Sequence, residues 1–76
     1  MQVDFKVKMN EKLYLRNPDG TEIGKQIIKM GVKMISDLGY EQFTFKKLAI
    51  EIGTTEATVY RYFENKHKLL IYIIDW

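Results

Sequence analysis

Ile23, Ile27, Met30, Met34 and Leu38 recur at steps of three and four residues, and the run stops at Gly39. That spacing lines one face of an α-helix, which Ile28, Gly31 and Ile35 widen. A glycine directly after the last apolar position suits the left-handed residue at which helices end. Asn17-Pro18-Asp19-Gly20 is turn chemistry, and Asp19 with Glu22 three residues on fits a start of the capping-box type. The pattern predicts a helix over residues 19–38, about 30 Å long at 1.5 Å per residue.

Such a stripe needs an apolar partner, because nothing else in the chain can staple it. Its 76 residues include no cysteine, so disulfides and thiolate metal sites are excluded, and the single His67 offers no imidazole cluster. A chain of this length buries only about 60% of the surface its unfolded form exposes. One small domain is expected, and an enzyme with a closed, water-excluding pocket is not. No Ser/His/carboxylate arrangement is legible, and His67 between Lys66 and Lys68 reads as a solvated helix residue. No catalytic, cofactor or metal site is therefore expected. A hydrophobic fraction of 46% with 29% charged residues is that of a folded domain. The net charge of +2 is too small to identify a nucleic-acid partner, so placement of charge must decide.

Val3, Phe5, Val7 and Met9 alternate with Asp4, Lys6 and Lys8, which is strand periodicity and not the apolar core of a signal peptide. Leu13 and Leu15 resume the alternation, but an isolated two-stranded unit is marginal in water. Residues 1–18 are expected to form an N-terminal arm of extended character, with residues 19–76 as the folded domain. Lys6, Lys8, Lys12 and Arg16 would let the arm track a DNA backbone, although a solvated or docked extension is the plainer reading. The longest apolar run, residues 69–74, is far short of the roughly 20 residues a membrane span needs. No membrane partner and a cytoplasmic location follow as expectations.

Thr44 can cap a second helix, with Phe43 packing on Leu48 as a staple and Phe45, Leu48, Ala49 and Ile52 as the buried face. Gly53 ends it after roughly two turns, and Thr54-Thr55 offers a hydroxyl cap for the next. In that third helix Val59 and Phe63 form the apolar stripe, while Thr58, Arg61 and Tyr62 are expected to point elsewhere. Asn65 can cap a fourth helix, from about residue 66, carrying Leu69, Leu70, Ile73 and Ile74.

Two short helices joined through a glycine and a capped turn outline a helix-turn-helix, whose second helix enters a DNA major groove. Thr44, Thr54, Thr55, Thr58, Tyr60 and Tyr62 supply hydroxyls around it, and Arg61 and Lys66 supply cations. Groups of these kinds at fixed positions are what phosphate oxygens require, setting register without reading sequence. The helix starts marked by Thr44, Thr55 and Asn65 expose unpaired N–H groups that can seat a phosphate. Lys66 in the first turn of the fourth helix is disfavoured by the helix dipole, by about 0.3–1 kcal/mol, which a docked phosphate would reverse. With Val59 and Phe63 buried, at least one of Tyr60, Arg61 and Tyr62 must reach solvent or a partner.

The stretch from Thr21 to Leu70 resembles the DNA-binding domain of the TetR family of bacterial transcriptional regulators. The resemblance rests on Phe43-Thr44-Phe45-Lys46-Lys47-Leu48-Ala49 and on Thr58-Val59-Tyr60-Arg61-Tyr62-Phe63-Glu64-Asn65-Lys66 followed by Leu69-Leu70. It covers about two-thirds of the chain, and its Thr-aliphatic-Tyr-x-Tyr-Phe-x-x-Lys…Leu-Leu core is highly specific. It implies an all-α, three-helix, homeodomain-like bundle with the helix-turn-helix near residues 43–62. A fourth helix would lead into a ligand-binding and dimerisation domain. Position by position, Thr44, Thr54, Thr55, Thr58, Tyr60, Arg61, Tyr62 and Lys66 fall where the family contacts DNA, mostly its backbone. Glu56 and Ala57 fall at the start of the recognition helix, where base edges are approached. Glu56 departs from the small or basic residue frequent there; a carboxylate is repelled by phosphates yet can accept from a cytosine amino group. Ala57 replaces a frequent glycine, and Thr54 a frequent apolar residue. The alternating arm before Asn17 differs from the short basic arms usual in the family.

The resemblance implies a double-stranded DNA operator, a homodimer in the intact protein and a small-molecule effector bound by a C-terminal domain that this sequence lacks. A repressor is the expected sense of control. The chain stops at Trp76 within an apolar helical pattern, as a fragment or a truncated product would. The alternative is a helical protein-interaction module using the apolar stripe of the fourth helix.

Overall fold

The computed structural model describes residues 13–75, and every regular element among them is helical. The chain enters through a single 3₁₀ turn, Pro18–Gly20, capped by the Asn17 side chain, which accepts from the Asp19 N–H at 3.0 Å. Four α-helices follow: α1 (Glu22–Leu38), α2 (Phe45–Ile52), α3 (Glu56–Tyr60) and α4 (Lys66–Asp75). Leu13 and Leu15 belong to no strand. The Leu15 N–H instead donates to the carbonyl of Tyr62 at 2.8 Å. The alternating stretch at residues 3–9, the rest of the arm up to Lys12, and Trp76 lie outside the described residues.

The first helix begins three residues later than the turn sequence predicts. Thr21, in extended conformation, is its cap: Oγ1 accepts from the Gly24 N–H at 2.9 Å. The reason lies in Pro18, whose 3₁₀ turn folds back onto the first turn of α1. A Cβ on Gly24 would stand 2.2 Å from the Pro18 carbonyl oxygen. Gly39 ends α1 at φ 88° and donates to the Ile35 carbonyl. Leu38, placed by spacing at the end of the buried stripe, is instead 43% exposed. The local caps of the other helices are as expected. Thr44 Oγ1 accepts from the Lys47 N–H, Thr55 Oγ1 from that of Thr58, and Asn65 Oδ1 from that of Lys68. Gly53 ends α2 at φ 90°, in the left-handed region that an L side chain avoids.

Every helix contributes to one core. Ile27 and Ile28 of α1 meet Phe45, Leu48 and Ala49 of α2, Val59 of α3 and Leu69 of α4, with Phe43, Tyr62 and Phe63 from the connections. Gly31 lets α4 lie close to α1: a Cβ there would be 3.5 Å from both Leu69 Cδ2 and Ile73 Cδ1. Aromatic edges fill the remainder, with Phe63 on Tyr72 at 5.4 Å and Tyr14 on Tyr72 at 5.8 Å between ring centroids. Tyr72 also donates to Asp19 at 3.3 Å. Burial, and then the adjacent Asp19 charge and its hydrogen bond, raise the Tyr72 phenol above its ordinary value.

Tyr62 lies in this core, only 4% exposed, whereas helical spacing places it outside. The helix has already ended at Tyr60, and the N–H of Tyr62 donates to the carbonyl of Val59, three residues back, at 3.0 Å. The Val59 carbonyl also accepts from the Phe63 N–H at 3.2 Å, so Tyr62 and Phe63, three and four residues on, both follow Val59 inward.

Candidate nucleic-acid interface

The helix-turn-helix consists of α2, the turn through Gly53, Thr54 and Thr55, and α3. Val59 and Phe63 are both 0% exposed and fix the underside of α3. The opposite flank is open: Thr55, Glu56, Ala57, Tyr60 and Arg61 are exposed, with Thr54 and Thr58 half-buried. Thr44, at the start of α2, is also exposed.

The hydroxyls on this flank are held by the backbone. Thr55 Oγ1 accepts from the Thr58 N–H at 3.2 Å and shares a hydrogen bond with Thr58 Oγ1 at 2.9 Å. Thr44 Oγ1 accepts from the Lys47 N–H at 3.1 Å. A hydroxyl oxygen that accepts still carries a proton to donate. Capping therefore fixes the oxygens of Thr44 and Thr55, and one proton of the Thr55–Thr58 pair is shared between the two hydroxyls while the other can be donated elsewhere. Tyr60 is 46% exposed, and its ring packs in an edge arrangement with that of Phe45, 4.9 Å between centroids.

Tyr62 and Lys66 are placed differently from the other eight residues singled out by sequence. The Tyr62 hydroxyl shares a 2.7 Å hydrogen bond with Thr21 Oγ1, the cap of α1, and the Arg16 guanidinium lies 5.5 Å from its ring centroid. Lys66 is half-buried, and its Nζ donates to the carbonyls of Tyr40 at 2.8 Å and Phe43 at 3.0 Å. Nothing local in the sequence signals Thr21 or Tyr40 as partners, because they lie 41 and 26 residues away. Among the described residues no group of three or more His, Cys, Asp or Glu is placed to hold a metal ion, and no helix is long and apolar enough to cross a membrane.

A five-residue helix packed on a short capped helix, with a hydroxyl- and cation-bearing flank turned outward, defines a DNA-binding helix-turn-helix domain. The family model of bacterial regulatory proteins, tetR family, matches residues 27–73. The chain belongs to that family, and it carries the family's DNA-binding, transcription-regulating domain. Among curated proteins it is similar to the fatty acid metabolism regulator protein of Bacillus subtilis, 41% identical over 46 residues, covering 60% of this chain and 24% of the relative. It is also similar to the nucleoid occlusion factor SlmA of Haemophilus influenzae, 36% identical over 52 residues, 67% of this chain and 24% of the relative. The SlmA of Pasteurella multocida is 35% identical over 52 residues, 67% of this chain and 26% of the relative. The chain thus spans about a quarter of the length of these relatives. No solved structure matches it.

Proposed function

We propose that α3 enters the major groove of an operator, with Glu56 and Ala57 toward base edges and Thr44, Thr54, Thr55, Thr58, Tyr60 and Arg61 on the flanking backbone. Tyr62 and Lys66, which the resemblance also sets at the DNA backbone, are held in the free chain by Thr21 and by the carbonyls of Tyr40 and Phe43. The observation that carries it is the contrast across α3, with Val59 and Phe63 fully enclosed and the Thr55, Glu56, Ala57, Tyr60 and Arg61 flank exposed. In the whole protein, two such domains in a homodimer would engage half-sites about one helical turn apart. Repression, release by a small-molecule effector bound elsewhere in the protein, and a cytoplasmic, nucleoid-associated location complete the reading.

Titration into random-sequence duplex DNA at several salt concentrations tests the phosphate-facing surface. The slope of log affinity against log salt is about −0.9 per phosphate neutralised, so about four contacts weaken binding roughly 10²-fold for a fourfold rise in salt. Arg61→Ala is expected to reduce the slope by about one such unit. Binding that ignores salt would remove phosphate contact from the reading and favour the apolar stripe of α4 as a protein-docking face.

A further inference from the structure

Lys66 begins α4, but its ammonium lies against the connection between α1 and α2, where Tyr40 meets it twice. The Tyr40 carbonyl accepts from Nζ at 2.8 Å, and the centroid of the Tyr40 ring is 4.5 Å from the same atom. Phe43 supplies a second carbonyl at 3.0 Å, and it immediately precedes Thr44, the α2 cap on the proposed DNA face. The partial negative charge at the end of α1, whose last turn holds no basic residue, adds to the hold. An ammonium has three N–H donors. Two are engaged at good distances, whereas the Glu41 carbonyl, at 3.5 Å, lies at the limit of hydrogen bonding. A phosphate oxygen makes the stronger, charge-assisted bond and can take that third donor without breaking the other two.

From this geometry we infer that Tyr40 is a positioning residue for DNA binding, its ring confining the Lys66 ammonium for a phosphate contact. The inference rests on the proposed DNA-facing surface, with Lys66 at the backbone as the resemblance sets it. The attraction between ring and cation is present in the free and the bound chain, so it largely cancels in the affinity. Order does not cancel. A lysine that samples many rotamers must give them up on binding, whereas one already confined by ring and carbonyls gave them up on folding.

A double-mutant cycle separates this role from a merely structural one, with circular dichroism used to choose a temperature of equal helicity. Tyr40→Leu is expected to weaken binding of random-sequence duplex about two- to tenfold, the effect of one side chain left to be ordered on binding. The salt slope should hold, because the Lys66 charge remains. Tyr40→Phe keeps the ring and should bind as the unmodified chain does; a loss as large as that of Tyr40→Leu would put the phenol oxygen on DNA and overturn the inference. Lys66→Met is expected to lower the slope by about 0.9, and in that background Tyr40→Leu should have no further effect. Lys66→Gln serves the same cycle if the Met variant does not fold. Equal loss in both backgrounds, no loss in either, or an unchanged slope on removing Lys66 overturns the inference. In the free chain, the ring current of Tyr40 should move the Lys66 ε-methylene proton resonances upfield of those of exposed lysines, and Tyr40→Leu should return them; an absent shift also overturns it. If the unmodified chain fails to bind duplex, the proposed function falls and this inference with it. If the chain binds and the cycle shows no coupling, the inference alone falls.

Discussion

Gly24 is the residue with the least room for change. A Cβ at this position meets the backbone of Pro18, with the carbonyl oxygen 2.2 Å and Cα 2.5 Å away, so the turn itself would have to shift. Gly24→Ala is expected to destabilise the domain by about 1–3 kcal/mol, as forced overpacking does. Thermal unfolding followed by circular dichroism should show a fall of several degrees per kcal/mol in a chain this small. The sequence marks Asn17-Pro18-Asp19-Gly20 as a turn but not that the turn folds back on α1, so Asp19 reads as the cap where the structure has Thr21. Tyr62 is the other residue whose place is hidden. Its N–H shares the Val59 carbonyl with that of Phe63 where the helix ends, and its hydroxyl partner, Thr21, is 41 residues away. Local periodicity carries neither fact.

At the scale of elements, the caps and stops were the most legible features, because a cap is decided within three or four residues. Thr44, Thr55 and Asn65 each accept from an N–H three residues on, and Gly39 and Gly53 each end a helix at positive φ. The length of α3 was not legible, since Val59 and Phe63 are four apart and suggest a helix continuing past Tyr60. Thr55→Ala is expected to cost about 1 kcal/mol in thermal or denaturant unfolding, the usual penalty for a lost N-cap. Gly31 has the opposite expectation to Gly24. It lies inside α1, and an added methyl would make ordinary contacts of 3.5 Å with Leu69 and Ile73. Gly31→Ala should raise stability by about 0.5–1 kcal/mol through helix propensity, measurable as a higher melting temperature.

For the molecule as a whole, α4 is joined to the beginning and the end of α1: Tyr72 bonds to Asp19, and Lys66 to the turn after Gly39. The raised phenol of Tyr72 makes the first of these joints sensitive to alkali. In the unfolded chain the group loses its proton near pH 10, earlier than in the folded one, so the unfolded state is favoured once pH passes that value. Stability is expected to be unaffected by this group below pH 10 and to fall above it. Tyr72→Phe should flatten that alkaline limb in denaturant melts recorded across the pH range; an unaltered limb would assign it to other groups.

The brevity of α3 has a consequence for how faithfully an operator can be distinguished. Five residues give too little hydrogen-bonded backbone to stand as a helix alone, so this one takes its direction from Val59 and Phe63, seated in the shared interior. Aim and interior packing are then a single property. Trimming a buried side chain such as Leu48, which contacts no nucleotide in the proposed arrangement, is expected to cost stability by about 2–5 kcal/mol and to loosen the aim of the helix together with it.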